Sequence, residues 1–288
     1  MTTKMKRLIS VASALVIAAV LIVGISWGTV AASADRTYQG PIVSLVLENY
    51  PSDQMAFSVG KDVPYRDTLL GAINKVLEDL GEEKIAELVK HHTDLSVGRT
   101  STLSFDVPTP ASSGNTIYFY TSHAMPPVSY LGANNTTAGF NYDIARFAAV
   151  ELGMRLEVRF SVFGGIIQAV TQSSSEWRLV GDGVYITPAR EEVLAFSNVY
   201  WRPKLEVISR ESNSWNTLAQ LDGKRIAGLS SGIGAIYIQN KLDDGTLSSK
   251  TRLLEYTTIQ TAFKDFLAGR SDCVVYPCLG IEMLLASR

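Results

Sequence analysis

Residues 228–234, GLSSGIG, form a glycine-rich turn between a strand-like and a helix-like run. Such a turn either presents backbone N–H groups to an anion at a helix start or is a plain tight turn. It is neither G-x-G-x-x-G nor a Walker A sequence. His123 lies in the loop after a strand pattern, where open parallel sheets bind ligands. Asp182 and Glu191 are of the right type for acid and base, but solvated or capping roles are commoner for such carboxylates, and no G-x-S-x-G nucleophile is present. His91 and His92 are adjacent and cannot both face one metal; they read as caps on a helix end, interacting with its dipole. Cys273 and Cys278, the only cysteines, are spaced poorly for zinc. They form either a disulfide closing a small loop in an oxidising compartment or two free thiols. This inventory describes binding rather than catalysis, with neither metal nor cofactor.

The elements that must carry these residues alternate. TIYFYT (116–121) reads as a strand and FNYDIARFAAVELG (140–153) as an amphipathic helix. RLEVRFSV, GGIIQAVTQ and WRLVGDGVYI repeat strand, helix, strand. A second round runs from KRIAGLSSG through AIYIQNKLDD, RLLEYT and TIQTAFKDFLAG to DCVVYP, with a last helix in LGIEMLLAS. Strands alternating with helices of this length argue for parallel sheets covered on both faces, in two lobes joined through 200–210. Before them, PIVSLVLENY and MAFSVG read as short strands, and Leu69, Ile73, Val76, Leu77 and Leu80 recur at helical spacing up to a stop at Gly81. EKIAELVKHH adds a shorter helix. Residues 94–115 have no sustained period and are dense in Ser, Thr, Pro and Gly, which reads as a linker.

The 288 residues carry 26 Lys+Arg against 28 Asp+Glu. Lys4, Lys6 and Arg7 sit at the extreme N-terminus, so 23 basic groups face 28 acidic ones in the remainder. A net charge of about −5 excludes a non-specific nucleic-acid binder. Leu8 to Ala34 is uncharged and follows that basic start; Ala32-Ser33-Ala34 offers a small-x-small cleavage site before Asp35. Residues 1–34 are therefore a signal peptide or a transmembrane anchor, the run being long enough to span a bilayer. No Cys lies near it, which excludes a lipoprotein.

GFNYDIARFAAVELGMRLEVRF (139–160), GGIIQAVTQ, GDGVYITPAREEVLAFSNVYW, LDGKRIAGLSSGIGA and AFKDFLAGRSDCVVYP come in an order and spacing that resembles the type 2 periplasmic solute-binding proteins of the polar amino acid family, family 3. The resemblance implies two α/β lobes closing over a small solute for ABC-type import. By it, Arg190 matches the arginine that clamps the ligand carboxylate, and Gly183 and Tyr185 match positions lining the cleft. Ser231, Gly232, Ile233 and Gly234 match the second-lobe turn that meets the same carboxylate. Met125 stands where the family usually places an aromatic ring, and Pro277 where it usually presents an aspartate to the ligand amine. Unless Asp182, Glu282 or another carboxylate replaces that group, the resemblance implies a ligand without the amine. His123 and Asp182 complete the expected pocket.

Residues 38–92 resemble the family's C-terminal tail, MAFSVGKD its return strand, and LLGAINKVLEDLG with EKIAELV its two terminal helices. The expected architecture is thus a circularly permuted two-lobed α/β fold. Residues 38–92 complete the lobes, 93–115 link, 116–200 form lobe 1 and 205–288 lobe 2. The expected protein is a non-enzymatic, extracytoplasmic binder of a carboxylate-bearing solute, secreted or anchored at the cell membrane and partnered by an ABC permease. It is expected as a monomer, with a segment-swapped dimer as the alternative. A ligand-sensing domain without transport and a cyclohexadienyl dehydratase-like enzyme are the competing functions.

Overall fold

The computed structural model describes residues 38–47, 52–172, 174–213, 215–277 and 284–285. The chain divides into two units, Met1–Tyr38 and Gln39–Arg288. Of the first, only Tyr38 is described; the second carries the elements of the fold.

In chain order this second unit runs β1 (Ile42–Val46), β2 (Met55–Ala56), β3 (Ser58–Gly60), α1 (Arg66–Ser96), β4 (Thr116–Thr121), β5 (Ala124–Met125), β6 (Ser129–Leu131) and β7 (Thr137–Ala138). Next come α2 (Phe140–Glu151), β8 (Arg155–Phe160), α3 (Phe163–Thr171), β9 (Trp177–Val180), β10 (Val184–Tyr185), α4 (Pro188–Glu191), β11 (Leu194–Phe196) and β12 (Leu205–Arg210). The last elements are β13 (Arg225–Leu229), α5 (Ile233–Asp243), β14 (Arg252–Tyr256), α6 (Ile259–Leu267) and β15 (Cys273–Pro277). The fold is mixed α/β, as the alternation predicts.

Two sheets carry it. β4 lies between β8 and β9, parallel to both. The larger sheet has the order β1-β12-β15-β13-β14. β13 is parallel to both β14 and β15, and β15 is buried along its whole length. A strand covered on both faces needs apolar residues throughout, and Val274, Val275 and Tyr276 supply them. α6 shows the complementary helical pattern: Ile259, Ala262, Phe263, Phe266 and Leu267 are buried, and the Thr258 hydroxyl accepts the Thr261 N–H at its start.

The segment before residue 97 adds β1 to the edge of the larger sheet and forms a two-stranded sheet with each of β10 and β11. β1 pairs antiparallel with β12, β2 with β10, and β3 with β11. The Phe57 N–H donates to the Ser197 hydroxyl at 3.0 Å. α1 breaks at Gly81, whose φ of 65° is left-handed and suits a residue without Cβ, where the spacing predicted the stop. Its second arm continues to Ser96. His92 does not cap that arm: it is buried, with Nε2 2.8 Å from Asp143 Oδ2 on α2 and Nδ1 3.2 Å from the Tyr130 hydroxyl on β6. A neighbouring helix offered the imidazole a stronger partner than the helix's own carbonyls.

The connector after α1 has no regular structure, yet it is packed. Residues 101–107 alternate half-buried and exposed, which turns Leu103, Phe105 and Val107 onto the core. Ser104 donates through its N–H and hydroxyl to the Glu87 carboxylate, and the Arg146 guanidinium donates to the Val107 carbonyl. It is a strap over α1 and α2.

One expectation needs correction. Residues 1–34 are expected as a signal peptide or a transmembrane anchor, but among the described residues no helix is long and apolar enough to cross a membrane. The longest, α1, is broken at Gly81 and charged along its exposed face. Leu8–Ala34, which carried that expectation, lies outside the described residues. Cys273 is a buried free thiol, and burial pushes its pKa up. Cys278 lies outside the described residues.

Candidate functional site

Arg190 owes its place to four residues. The Thr187 hydroxyl accepts the Arg190 N–H at 3.4 Å, Pro188 supplies the pre-set first helical position, and the short turn α4 points the guanidinium inward. There it is buried: Nη1 donates to the Tyr185 carbonyl at 2.9 Å and Nη2 to the Ser231 carbonyl at 2.9 Å. Its carbon Cζ lies 5.9 Å from the Phe163 ring centroid. Burial lowers its pKa to about 10, so it stays cationic at neutral pH.

Facing it is the start of α5. Ser231 adopts a left-handed φ of 60°, which turns its carbonyl toward Arg190, and Gly232 is the N-cap. The free N–H groups of an eleven-residue helix and a buried guanidinium thus converge on one small space, a combination that favours an anion. Gly183 and Met125 form another wall. A Cβ on Gly183 would stand 2.5 Å from Met55 Sδ and 3.2 Å from Met125 Sδ, so glycine leaves room for both side chains to pack against this wall. Leu229, Val275, Tyr276 and Pro277 complete the lining.

The structure therefore brings Met125, Gly183, Tyr185, Arg190, Gly232, Ile233, Gly234 and Pro277 to one cleft. Ser231 takes part through its carbonyl rather than as a lining hydroxyl. His123 stands apart, its Nε2 2.9 Å from the Thr137 hydroxyl and its ring stacked on Phe160. Phe163 and Tyr276 belong to the cleft and were not singled out from the sequence. Phe163 opens a helix directly after a strand, and Tyr276 adjoins Pro277; both positions were signals. The cleft as it stands has a volume of about 10 Å³, room for roughly one water. A solute enters only when its walls part. A larger groove of about 640 Å³ runs between α1 around Gly81 and residues 198–202, away from Arg190 and α5.

Asp182 sits behind the cleft wall. Its Oδ1 accepts the Thr121 hydroxyl at 2.7 Å and its Oδ2 accepts the Ser122 hydroxyl, while the Ser122 N–H lies 3.1 and 3.2 Å from the two oxygens. Since Thr121 donates to Asp182, Ser129 must donate to Thr121 across their 2.6 Å contact. Complete burial lifts the Asp182 pKa to about 6 against the opposing effect of these donors. The carboxylate thus holds the loop that leads to Met125. Among the described residues no group of three or more His, Cys, Asp or Glu side chains is arranged to hold a metal ion.

The chain is 28% identical over 164 residues to the ABC transporter arginine-binding protein 1 of Escherichia coli K12, covering 57% of this chain and 64% of that protein. It is 26% identical over 160 residues to the L-arginine-binding protein of Pseudomonas aeruginosa, covering 55% and 60%. The chain thus spans less than two thirds of these relatives. Among solved structures, the arginine-bound form of a truncated ArgBP from T. maritima superposes with a TM-score of 0.52 at 22% identity, over 60% of this chain and 79% of that one. An ancestral arginine-binding protein bound to arginine gives 0.51 at 23%, over 60% and 74%. At such identities the likeness is one of fold. The profile of the bacterial extracellular solute-binding proteins, family 3, matches residues 117–275, from β4 into β15, and the chain belongs to that family.

Proposed function

We propose that the protein binds a small carboxylate-bearing solute outside the cytoplasm and presents it for ABC-type import. The observation that carries this reading is the buried Arg190 guanidinium facing the start of α5 inside an otherwise apolar cleft. A rigid fork of donors opposite a helix N-terminus suits one planar anion. The names of the relatives, an ABC transporter arginine-binding protein and an L-arginine-binding protein, support the same class of role. Residues 1–34 would then be a leader directing export, and an ABC permease the partner.

The fold within this reading is a circular permutant. Residues 38–92 resemble the family's C-terminal tail, and three strand pairings together with the α1–α2 packing support their doing that tail's work within the same chain. The strap at 97–115 is the new connection, with Leu103, Phe105 and Val107 pinning it. The test of function is direct: purify the exported protein under native conditions and identify any bound small molecule by mass spectrometry. A stoichiometric carboxylate is the expected result, and a molecule without an anionic group overturns the reading.

A further inference from the structure

The cleft's charges are unbalanced. Among the described residues that line it, Arg190 is the one ionic group, and Met125, Phe163, Leu229 and Val275 make the rest largely apolar. The nearest carboxylate, Asp182, lies behind the wall, with both oxygens held by Thr121 and Ser122. The Tyr185 and Ser231 carbonyls each accept from Arg190, so a cation approaching either one also approaches the guanidinium. The edge of β15 that reaches the cleft ends in Pro277, which has no side-chain acceptor. A ligand ammonium here would meet a fixed positive charge and lose its hydration without a partner, and burying an unpaired ion is the costliest kind of burial.

The Tyr276 hydroxyl offers the lining a further polar group. Tyr276 lines the cleft and is more than nine-tenths buried, yet its hydroxyl has no hydrogen-bond partner. A buried hydroxyl left unsatisfied loses the free energy of a hydrogen bond, which an uncharged ligand oxygen would restore.

From this inventory we infer that the solute is an amine-free monocarboxylate with an apolar tail, its carboxylate on Arg190 and any second oxygen, as in a 2-oxo or 2-hydroxy acid, on the Tyr276 hydroxyl. The inference rests on the carboxylate-binding reading and narrows it. It separates this cleft from one for amino acids by what the cleft lacks, a carboxylate to pair with an ammonium among its described lining residues. Chain length and branching of the tail are set by the Met125, Phe163, Leu229 and Val275 surfaces, which offer packing and no further hydrogen bonds.

The experiment uses matched pairs that share a carbon skeleton: 4-methyl-2-oxopentanoate with leucine, phenylpyruvate with phenylalanine, and the corresponding 2-hydroxy acids. Arginine is included as a further amino acid. Thermal shift screens the panel on the full exported protein, and calorimetry measures each hit. At least one oxo or hydroxy acid should bind tenfold or more tighter than its amino acid. An amino acid binding as tightly as its deaminated partner overturns the inference and leaves carboxylate binding intact. If no carboxylate in either half of the panel binds, the underlying reading falls with it. Tyr276→Phe, which keeps the ring, should weaken the best oxo acid about fivefold or more relative to its effect on the matching unsubstituted acid. Equal affinities for the oxo acid in both proteins overturn the role given to that hydroxyl.

Discussion

Replacing His92 by Ala tests whether α1 is held to the family body by the buried contact that joins them. The imidazole is almost wholly buried, as is Asp143, and the pair meets at 2.8 Å with Tyr130 on the other ring nitrogen. Removing one partner of such a buried pair typically costs about 3–5 kcal/mol, because the remaining charge loses its partner. Arg146 lies 3.4 Å from Asp143 Oδ1 and keeps part of that compensation. The expected loss is therefore about 2–4 kcal/mol, or roughly 5–15 °C in Tm for a domain of this size. Urea and thermal unfolding of wild type, His92→Ala, Asp143→Asn and the double variant give the pairwise term directly. The coupling energy should exceed about 1 kcal/mol. A His92→Ala loss below about 0.5 kcal/mol, or a coupling indistinguishable from zero, would refute the idea that this pair fastens α1 to α2.

Phe105→Ala should cost about 1–2 kcal/mol, less than a full core truncation because the ring is half-buried against Phe147 and beneath Lys84, and urea denaturation measures it. A neutral result would make the strap a passive tether. Asp182 gives a pH signature: its pKa in the folded protein, about 6, lies above the ordinary 3.8. Its carboxyl therefore favours the folded state below about pH 4, and that contribution is lost as pH rises to about 6. The stability difference between wild type and Asp182→Asn should shift against wild type across that window, read by urea denaturation at several pH values; a difference that does not change with pH contradicts the burial argument.

Much of the scaffold was legible because it depends on periodicity. The helical spacing from Leu69 to Leu80 and the glycine at 81 place a helix and its break, and continuous apolar runs such as 273–276 place a buried parallel strand. Arg190 drew attention only through the resemblance of its run to the family's, because an arginine at a helix start otherwise reads as a surface side chain. Partners were less legible. Nothing in the spacing of His91 and His92 says that the second will turn toward an aspartate 51 residues on. Asp182 looked available to a ligand, whereas Thr121 and Ser122, some 60 residues earlier, occupy it. The connector looked like a loose tether because its inward residues, Leu103, Phe105 and Val107, are separated by polar ones and carry no helix or strand signal of useful length. Periodicity reports which face is buried; it is silent on what covers that face.

The central claim is that Arg190 holds the solute's carboxylate. The direct measurement is a calorimetric titration of wild type and Arg190→Ala with the solute identified by mass spectrometry, after circular dichroism shows both proteins folded. Loss of a buried charge-assisted partner should weaken binding at least about 30-fold. Unchanged affinity in a folded Arg190→Ala protein would contradict the account.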